Sequence, residues 1–436
     1  MRMLRLLSVP LFFFSIVHAQ TSMIGGGTAR NIALGGGPVN PYLQDLLRIH
    51  INPSLLVQYP NRVWGDVGFL ASDVPQGGSR GQYIATSIGV DGRNFLGLAL
   101  NRRESPLYNV DAANPPRDPV QEMNTMVASV LGFGAQQFSR PLSPIEAFWA
   151  SRIDSLNVGA SVSYGRWSGE RSINGTSQQS VSTIRAKAGI TDRISPNTLF
   201  DGAVLVGFNS MSGTATPSGS PQNELDMTGG TEFGADLRLK CDFNSNWSFV
   251  PIARGYWFSW GMKQVRSGAL VIPDPADEYS QSEVELGVGT NFSKNGFLLA
   301  GGFSFQRAVL VSDYHTISKT TVTITDLPKI NLGAEFVIAS WIVGRFGYFD
   351  RLSSVETEVA SGSATTTTTT SSELPWYGDL NGFSAAQQRI TIGVGMSVAG
   401  FSLDGTIGEG YFLNGPWPLS GTAQSLFNVV SFSYQF

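Results

Sequence analysis

The chain has 436 residues, 42% of them hydrophobic and only 14% charged, with 50 glycines, one cysteine and three histidines. That hydrophobicity excludes a disordered chain, the lack of a three-residue glycine repeat excludes collagen, and a formal net charge of −4 gives no basic footprint for nucleic acid. Low charge, abundant glycine, 11% aromatics and a mean hydropathy near zero suit a β structure with one apolar and one wet side.

Residues 1–19 read as a signal peptide. Arg2 and Arg5 form a positive start, Leu11 to Phe14 with Ile16 and Val17 form the apolar core, and Val17-His18-Ala19 places small residues for cleavage after Ala19. The mature chain then carries 27 basic against 33 acidic residues, a net charge of −6. Cys241 has no second cysteine with which to form an internal disulfide. Residues 20–61 are rich in glycine and proline, with one short amphipathic stretch at helical spacing, Tyr42, Leu43, Leu46 and Leu47. Such a segment is too small for a core of its own, but a barrel of the size the following runs imply has room for it as a plug.

From Arg62 onward the recurring period is two. Leu156, Val158, Ala160, Val162 and Tyr164 alternate with Asn157, Gly159, Ser161, Ser163 and Gly165. Phe233, Ala235, Leu237, Leu239, Cys241 and Phe243 alternate with Glu232, Gly234, Asp236, Arg238, Lys240 and Asp242. Val284, Leu286, Val288, Thr290 and Phe292 alternate with Glu283, Glu285, Gly287, Gly289 and Asn291. These runs match the roughly 9–11 residues of a tilted bilayer-crossing strand, against about 5–6 in a soluble sheet. No stretch reaches the roughly 18 apolar residues that a helical span needs.

Short turns at Asp91-Gly92, Asp192 to Asn197, Asn244 to Asn246, Ser293 to Gly296 and Ala399-Gly400 alternate with longer polar segments near 103–124, 168–180, 211–228, 261–280, 311–326, 351–385 and 411–424. That rhythm is expected of short periplasmic turns and long external loops. The threonine run Thr365 to Thr370 reads as a solvated loop. Trp167, Trp257 and Trp260 are expected in an outer aromatic girdle, Trp247 and Trp341 in an inner one. The chain ends on alternating Val430, Phe432, Tyr434 and Phe436, which resembles the terminal-strand signal read by the barrel-assembly machinery of diderm bacteria. The resulting fold class is all-β: a transmembrane antiparallel β-barrel of about 14–16 strands over residues 62–436, with an N-terminal lumenal hatch over residues 20–61.

Thr28-Ala29-Arg30-Asn31-Ile32-Ala33-Leu34-Gly35-Gly36-Gly37 and Asn52-Pro53-Ser54-Leu55, with the hairpin rhythm of Ile84 to Asn101 and Ser129 to Tyr164, resemble the FadL/TodX family of outer-membrane hydrophobe transporters. Family members commonly carry paired aspartates between the two hatch motifs, where this chain has only Asp45, and have alanine at the position of Ser54. The family barrel has fourteen strands, whereas the runs here number about sixteen. The resemblance implies uptake of long-chain fatty acids or similar hydrophobic compounds by hatch-gated passive diffusion, with Asn52, Pro53 and Ser54 where hatch meets wall. Read from the residues alone, these three make a turn entering the first strand. Phe383, Tyr411, Phe412 and Trp417 are candidates for an external capture groove, or for plain interfacial anchors.

Relatives that act as shuttles of the type IX secretion system supply an alternative, with secreted proteins as partners; a general diffusion porin is the third reading. The expected partners are the outer-membrane bilayer, the assembly machinery during biogenesis and a hydrophobic small molecule. After signal removal only His50 and His315 remain, with no serine–histidine–acid spacing, no metal-ligand cluster and no phosphate loop at Gly25 to Gly27. The expectation is a non-enzyme without cofactor. The inward-reading charges Glu232, Asp236, Arg238, Lys240, Glu283 and Glu285 are expected to pair across strands or to line a passage.

Overall fold

The computed structural model describes residues 27–35, 40–69, 82–103, 119–132, 135–141, 144–172, 175–217, 221–266, 269–270, 277–314, 318–361, 364–372, 390–407 and 426–436. The proposed signal peptide, His315 and the four groove candidates Phe383, Tyr411, Phe412 and Trp417 lie outside these residues.

Successive strands pair antiparallel along the chain. They are β1 (Arg62–Phe69), β2 (Tyr83–Gly89), β3 (Asn94–Leu100), β4 (Ile145–Ile153), β5 (Leu156–Ser172), β6 (Gly175–Ser195), β7 (Thr198–Pro217), β8 (Asn223–Asp242) and β9 (Trp247–Arg266). They continue as β10 (Ala269–Leu270), β11 (Asp277–Lys294), β12 (Phe297–Tyr314), β13 (Ser318–Ala339), β14 (Ile342–Ser361), β15 (Ala364–Ser372), β16 (Ile390–Val398), β17 (Phe401–Ile407) and β18 (Phe427–Gln435). The wall is a closed 16-stranded barrel. The two-residue β10 only extends the β9 hairpin, while β15 and β16 form one interrupted strand, pairing with the far and near halves of β14. Closure is made by β1 against β18, from Arg62↔Gln435 to Phe69↔Val429, so no ladder edge is left open at that seam.

The strands are of two lengths. From β5 to β14, apart from β10, they run 17–22 residues, whereas β1 to β4 and β16 to β18 run 7–9. Much of what reads as external loop is therefore strand. Residues 168–172 with 175–180, 211–217 with 223–228, and 318–326 with 353–361 continue the hairpin ladders, and the threonine run is β15 on β14. A backbone ladder is satisfied by its neighbour whatever the side chains carry, so polar β-branched sequence does not stop it.

Side chains sort by face as the alternation requires. Ile84, Leu96, Trp149, Val162, Phe233, Leu237, Leu286, Phe303, Leu332 and Phe346 stand outward and exposed. Glu146, Lys187, Asp201, Arg238, Glu285, Asn331, Glu335, Arg345 and Asp404 are buried on the inside. Cys241 shares the outward parity of Phe233 and Leu237 and is partly exposed. Among several register shifts, two bulges fall within the long strands and invert this order, at Thr228/Thr231 in β8, where Gly229 takes φ +63°, and at Asp326/Lys329 in β13. One extra residue turns every later side chain to the other face. Beyond each bulge the apolar residues, Leu225 and Met227 or Val322 and Ile324, therefore point inward.

Inside the wall lie two further pieces. The first is the N-terminal segment, made of α1 (Thr28–Ala33) and two 3₁₀ turns, Leu46–His50 and Pro53–Gln58. It touches strands on opposite sides of the barrel, β14 to β18 through α1 and β3 to β6 through the second 3₁₀ turn. The second is α2 (Pro119–Val130), from the β3–β4 connection.

Candidate functional site

The lumen is built in two storeys. The lower one is polar and holds the N-terminal segment against the wall. Asn52 caps the second 3₁₀ turn: its Oδ1 accepts from Ser54 N at 3.0 Å and Ser54 Oγ at 2.7 Å. Its Nδ2 donates to the Ile190 carbonyl at 3.0 Å and to Asp201 Oδ1 at 2.5 Å, while the Ser54 hydroxyl meets Thr191 Oγ1 at 2.7 Å. Asn52, Pro53 and Ser54 are thus brought together on the β5–β6 wall. Gly159 and Gly189, cross-strand partners there, leave the room: a Cβ on Gly159 would lie 2.4 Å from Ser54 N, and one on Gly189 1.9 Å from Asn52 Oδ1.

Two arginines of the segment reach opposite walls. Arg48 donates through Nε to Asp201 on β7 at 3.2 Å and through Nη2 to Asp236 on β8 at 2.8 Å; Asp236 also holds Arg254 at 2.6 Å. Arg30 meets Glu335 on β13 at 3.0 Å, and Glu335 is shared with Arg345, which continues to Asp404 at 2.6 Å. Burial opposes both charges of the segment, but the facing carboxylates outweigh it, so each guanidinium is held protonated more firmly than usual. Asp45, wholly buried, is pushed above the ordinary carboxylate range by burial despite Arg30, the Asn31 amide and the Leu47 N–H.

His50 packs among Trp64, Tyr83 and Phe148 with Nδ1 3.2 Å from Glu146, itself 3.0 Å from Lys187. At the front, Thr406 Oγ1 donates to the Ala29 carbonyl at 2.7 Å and Ala29 N to Ser431 Oγ at 2.9 Å. Of the charges expected to face inward, Glu232 pairs with Arg185, Arg238 lies near Asp201, Glu285 pairs with Lys329, Lys240 with Asp242, and Glu283 accepts from Gln306.

The upper storey is apolar. Val120, Met123, Val127 and Val130 of α2, with Leu131 and Phe138, pack on Val181, Met211, Ala215, Leu225, Met227, Phe258, Trp260, Met262 and Tyr279. A second patch, Ala308, Leu310, Val322 and Ile324 with Val355, lines β12 to β14. Two tryptophans expected in a girdle belong here instead: Trp260 is buried and stacked on Tyr279 with ring centroids 4.1 Å apart, and Trp167 packs on the same cluster. Both stand on inward positions of their strands; Trp257, Trp247 and Trp341 do face outward.

Sequence reading missed α2, although Val120, Met123, Val127 and Val130 repeat at three, four and three residues, the helical signal. It also missed Arg48, because a lone arginine announces no partner until Asp201 and Asp236 are folded opposite it. Phe432, Tyr434 and Phe436 take no part in the lumen; the last two are exposed, with ring centroids 6.5 Å apart. Among the described residues no three histidine, cysteine or acidic side chains form a metal-holding group.

No protein-family model matches the sequence, and no curated protein does. Solved structures similar to the chain include the toluene transporter TbuX of Ralstonia pickettii, at 12% identity over 95% of this chain and 99% of that one, TM-score 0.38. Another is the toluene transporter TodX of Pseudomonas putida, at 10% identity over 94% and 98%, TM-score 0.35. A third is BauA, the ferric preacinetobactin receptor of Acinetobacter baumannii, at 10% identity over 86% and 79%, TM-score 0.34. With TM-scores this low, the barrel assignment rests on the strand ladder of the chain itself.

Proposed function

We propose that the chain is an outer-membrane channel that admits a long-chain fatty acid or comparable hydrophobic compound, with residues 20–61 as its hatch and residues 1–19 removed on export. The observation that carries this reading is the pairing of an apolar upper lumen with a lower lumen occupied by the N-terminal segment. The outward apolar face suits lipid. A general porin needs a wet, open passage, whereas an apolar solute gains about 0.8 kcal/mol per methylene buried against such a lining. Passage then requires the segment held by Asn52, Arg48 and Arg30 to shift. Phe383, Tyr411, Phe412 and Trp417 are proposed as the external capture surface, and Phe432, Tyr434 and Phe436 as the assembly signal.

The test is uptake of labelled oleate, and of an uncharged aromatic alongside it, by a diderm host lacking its own importer. The barrel is first shown folded in the outer membrane. Saturable uptake by the full chain, altered by Arg48→Ala, supports the reading. A folded barrel that takes up neither compound overturns it.

A further inference from the structure

The apolar cluster under α2 contains one feature that packing alone does not call for. Gln179, on β6, is 2% exposed and inward-facing, between Ser177 and the fully buried Val181. Neither its Nε2 nor its Oε1 has a hydrogen-bond partner. It stands over its β7 neighbour Gly213, where a Cβ would lie 2.8 Å from Phe138, 3.0 Å from Leu131 and 3.5 Å from Gln179 Cγ. The Gln179 side chain therefore shares the space over Gly213 with two side chains of the cluster. Buried amides are nearly always paired, because an unmade bond there costs the full desolvation of the group. The same cluster holds a second buried, unpartnered donor, Trp260 Nε1, on β9.

The charges around the cluster are already answered. Arg185, two inward positions below Val181 on β6, is held by Glu232 at 2.9 Å. Glu122 of α2 is buried on the cluster and accepts from the Tyr279 hydroxyl at 3.5 Å. An incoming carboxylate would meet this carboxylate, and the nearby cation is engaged. The lining is also deformable: Met123, Met211, Met227 and Met262 belong to the cluster and Met126 packs on it. Unbranched thioethers repack readily around ligands of different outline.

We infer that the interface between α2 and the β6–β9 wall binds an uncharged apolar molecule bearing one hydroxyl or carbonyl group, which Gln179 receives. This rests on the proposed hydrophobe-channel reading and narrows it, at this site, to the uncharged hydrophobic compound rather than the fatty acid. The amide is suited to the task because it offers both a donor and an acceptor, so an alcohol, a phenol or a ketone each finds a match. A pure hydrocarbon leaves the amide unpaired, and an acid brings a charge beside Glu122.

The test is isothermal titration calorimetry of the full chain in amphipol with three probes of one outline: naphthalene, 1-naphthol and 1-naphthoate. The expected order is naphthol tightest, by about tenfold over naphthalene, with naphthoate weakest. Gln179→Leu, which puts an apolar side chain on an apolar wall, is expected to remove the naphthol preference while keeping naphthalene binding. Trp260→Phe, expected to change the affinity of all three, places the ligand in this cluster. A naphthol preference that survives Gln179→Leu, or naphthoate binding tightest, overturns the inference. If naphthalene binds and naphthol has no advantage, the inference falls while the channel reading stands. If none of the three binds to a heat-modifiable, folded barrel, the inference falls, and the channel reading is decided separately by the oleate uptake described above.

Discussion

Gly159 and Gly189 are where the absence of a side chain matters most. They face each other across β5 and β6; the backbone of Pro53 and Ser54 lies directly on Gly159, and the side chains of Asn52 and Pro53 on Gly189. Gly189→Ala is expected to push Asn52 off Asp201 and the Ile190 carbonyl while leaving the barrel ladder intact. Limited proteolysis, with cleavage near residues 40–60 appearing only in the variant, checks this. Arg48→Ala is the electrostatic counterpart. It removes the cation that sits 2.8–3.2 Å from Asp201 and Asp236, leaving Asp236 to Arg254 and Asp201 to Arg238 and the Asn52 amide. The segment is expected to leave, seen as larger single-channel conductance in a planar bilayer. Arg48→Lys, which keeps charge but not the fork that spans two carboxylates, is expected to fall between.

At the scale of elements, the bulges in β8 and β13 decide what the lumen is made of. Below them the apolar face looks out; above them it looks in, and Glu224 and Asp226 take the outer positions that Phe233 and Leu237 occupy lower down. Deleting Gly229 is expected to restore simple alternation, turning Leu225 and Met227 outward and the two acids inward. Loss of heat-modifiable folded barrel on gels checks it. For α2, Met123→Ala removes a fully buried side chain and is expected to cost about 2–5 kcal/mol where the helix stays docked. A lowered unfolding midpoint, with the barrel's β-sheet signal unchanged in form, is the corresponding readout.

These elements also show how far sequence reading reaches. The period-two runs and the short turns are legible because each strand needs one apolar and one polar face. Residues 52–54 read by type only as a turn, and it is the resemblance that singles them out. Bulges are not legible, since an inserted residue carries no mark of its own, and alternation read straight through Gly229 puts Leu225 and Met227 on the wrong side. Trp260 was misassigned for a related reason: an aromatic near a strand end suits a girdle and a lumen equally, and only parity separates them.

At the scale of the whole molecule, the first turn of the N-terminal segment is tied to the seam that closes the barrel. Thr28 bonds to Asp66 on β1, and Ala29 bonds to Ser431 on β18, 402 residues away in the chain. Neither half of that socket exists until the first and last strands have paired. The first described turn of the chain thus completes this contact only with the last strand. The Ala29–Ser431 bond must wait for it, because loop closure over so long a span has to be met before the contact returns anything. A chain interrupted before β18 would lack the Ser431 contact of the first turn, while Asn52 and Arg48 still have the β6–β8 wall to meet. Seating of the first turn is in this sense a consequence of completion: an unfinished barrel lacks the last strand that receives it.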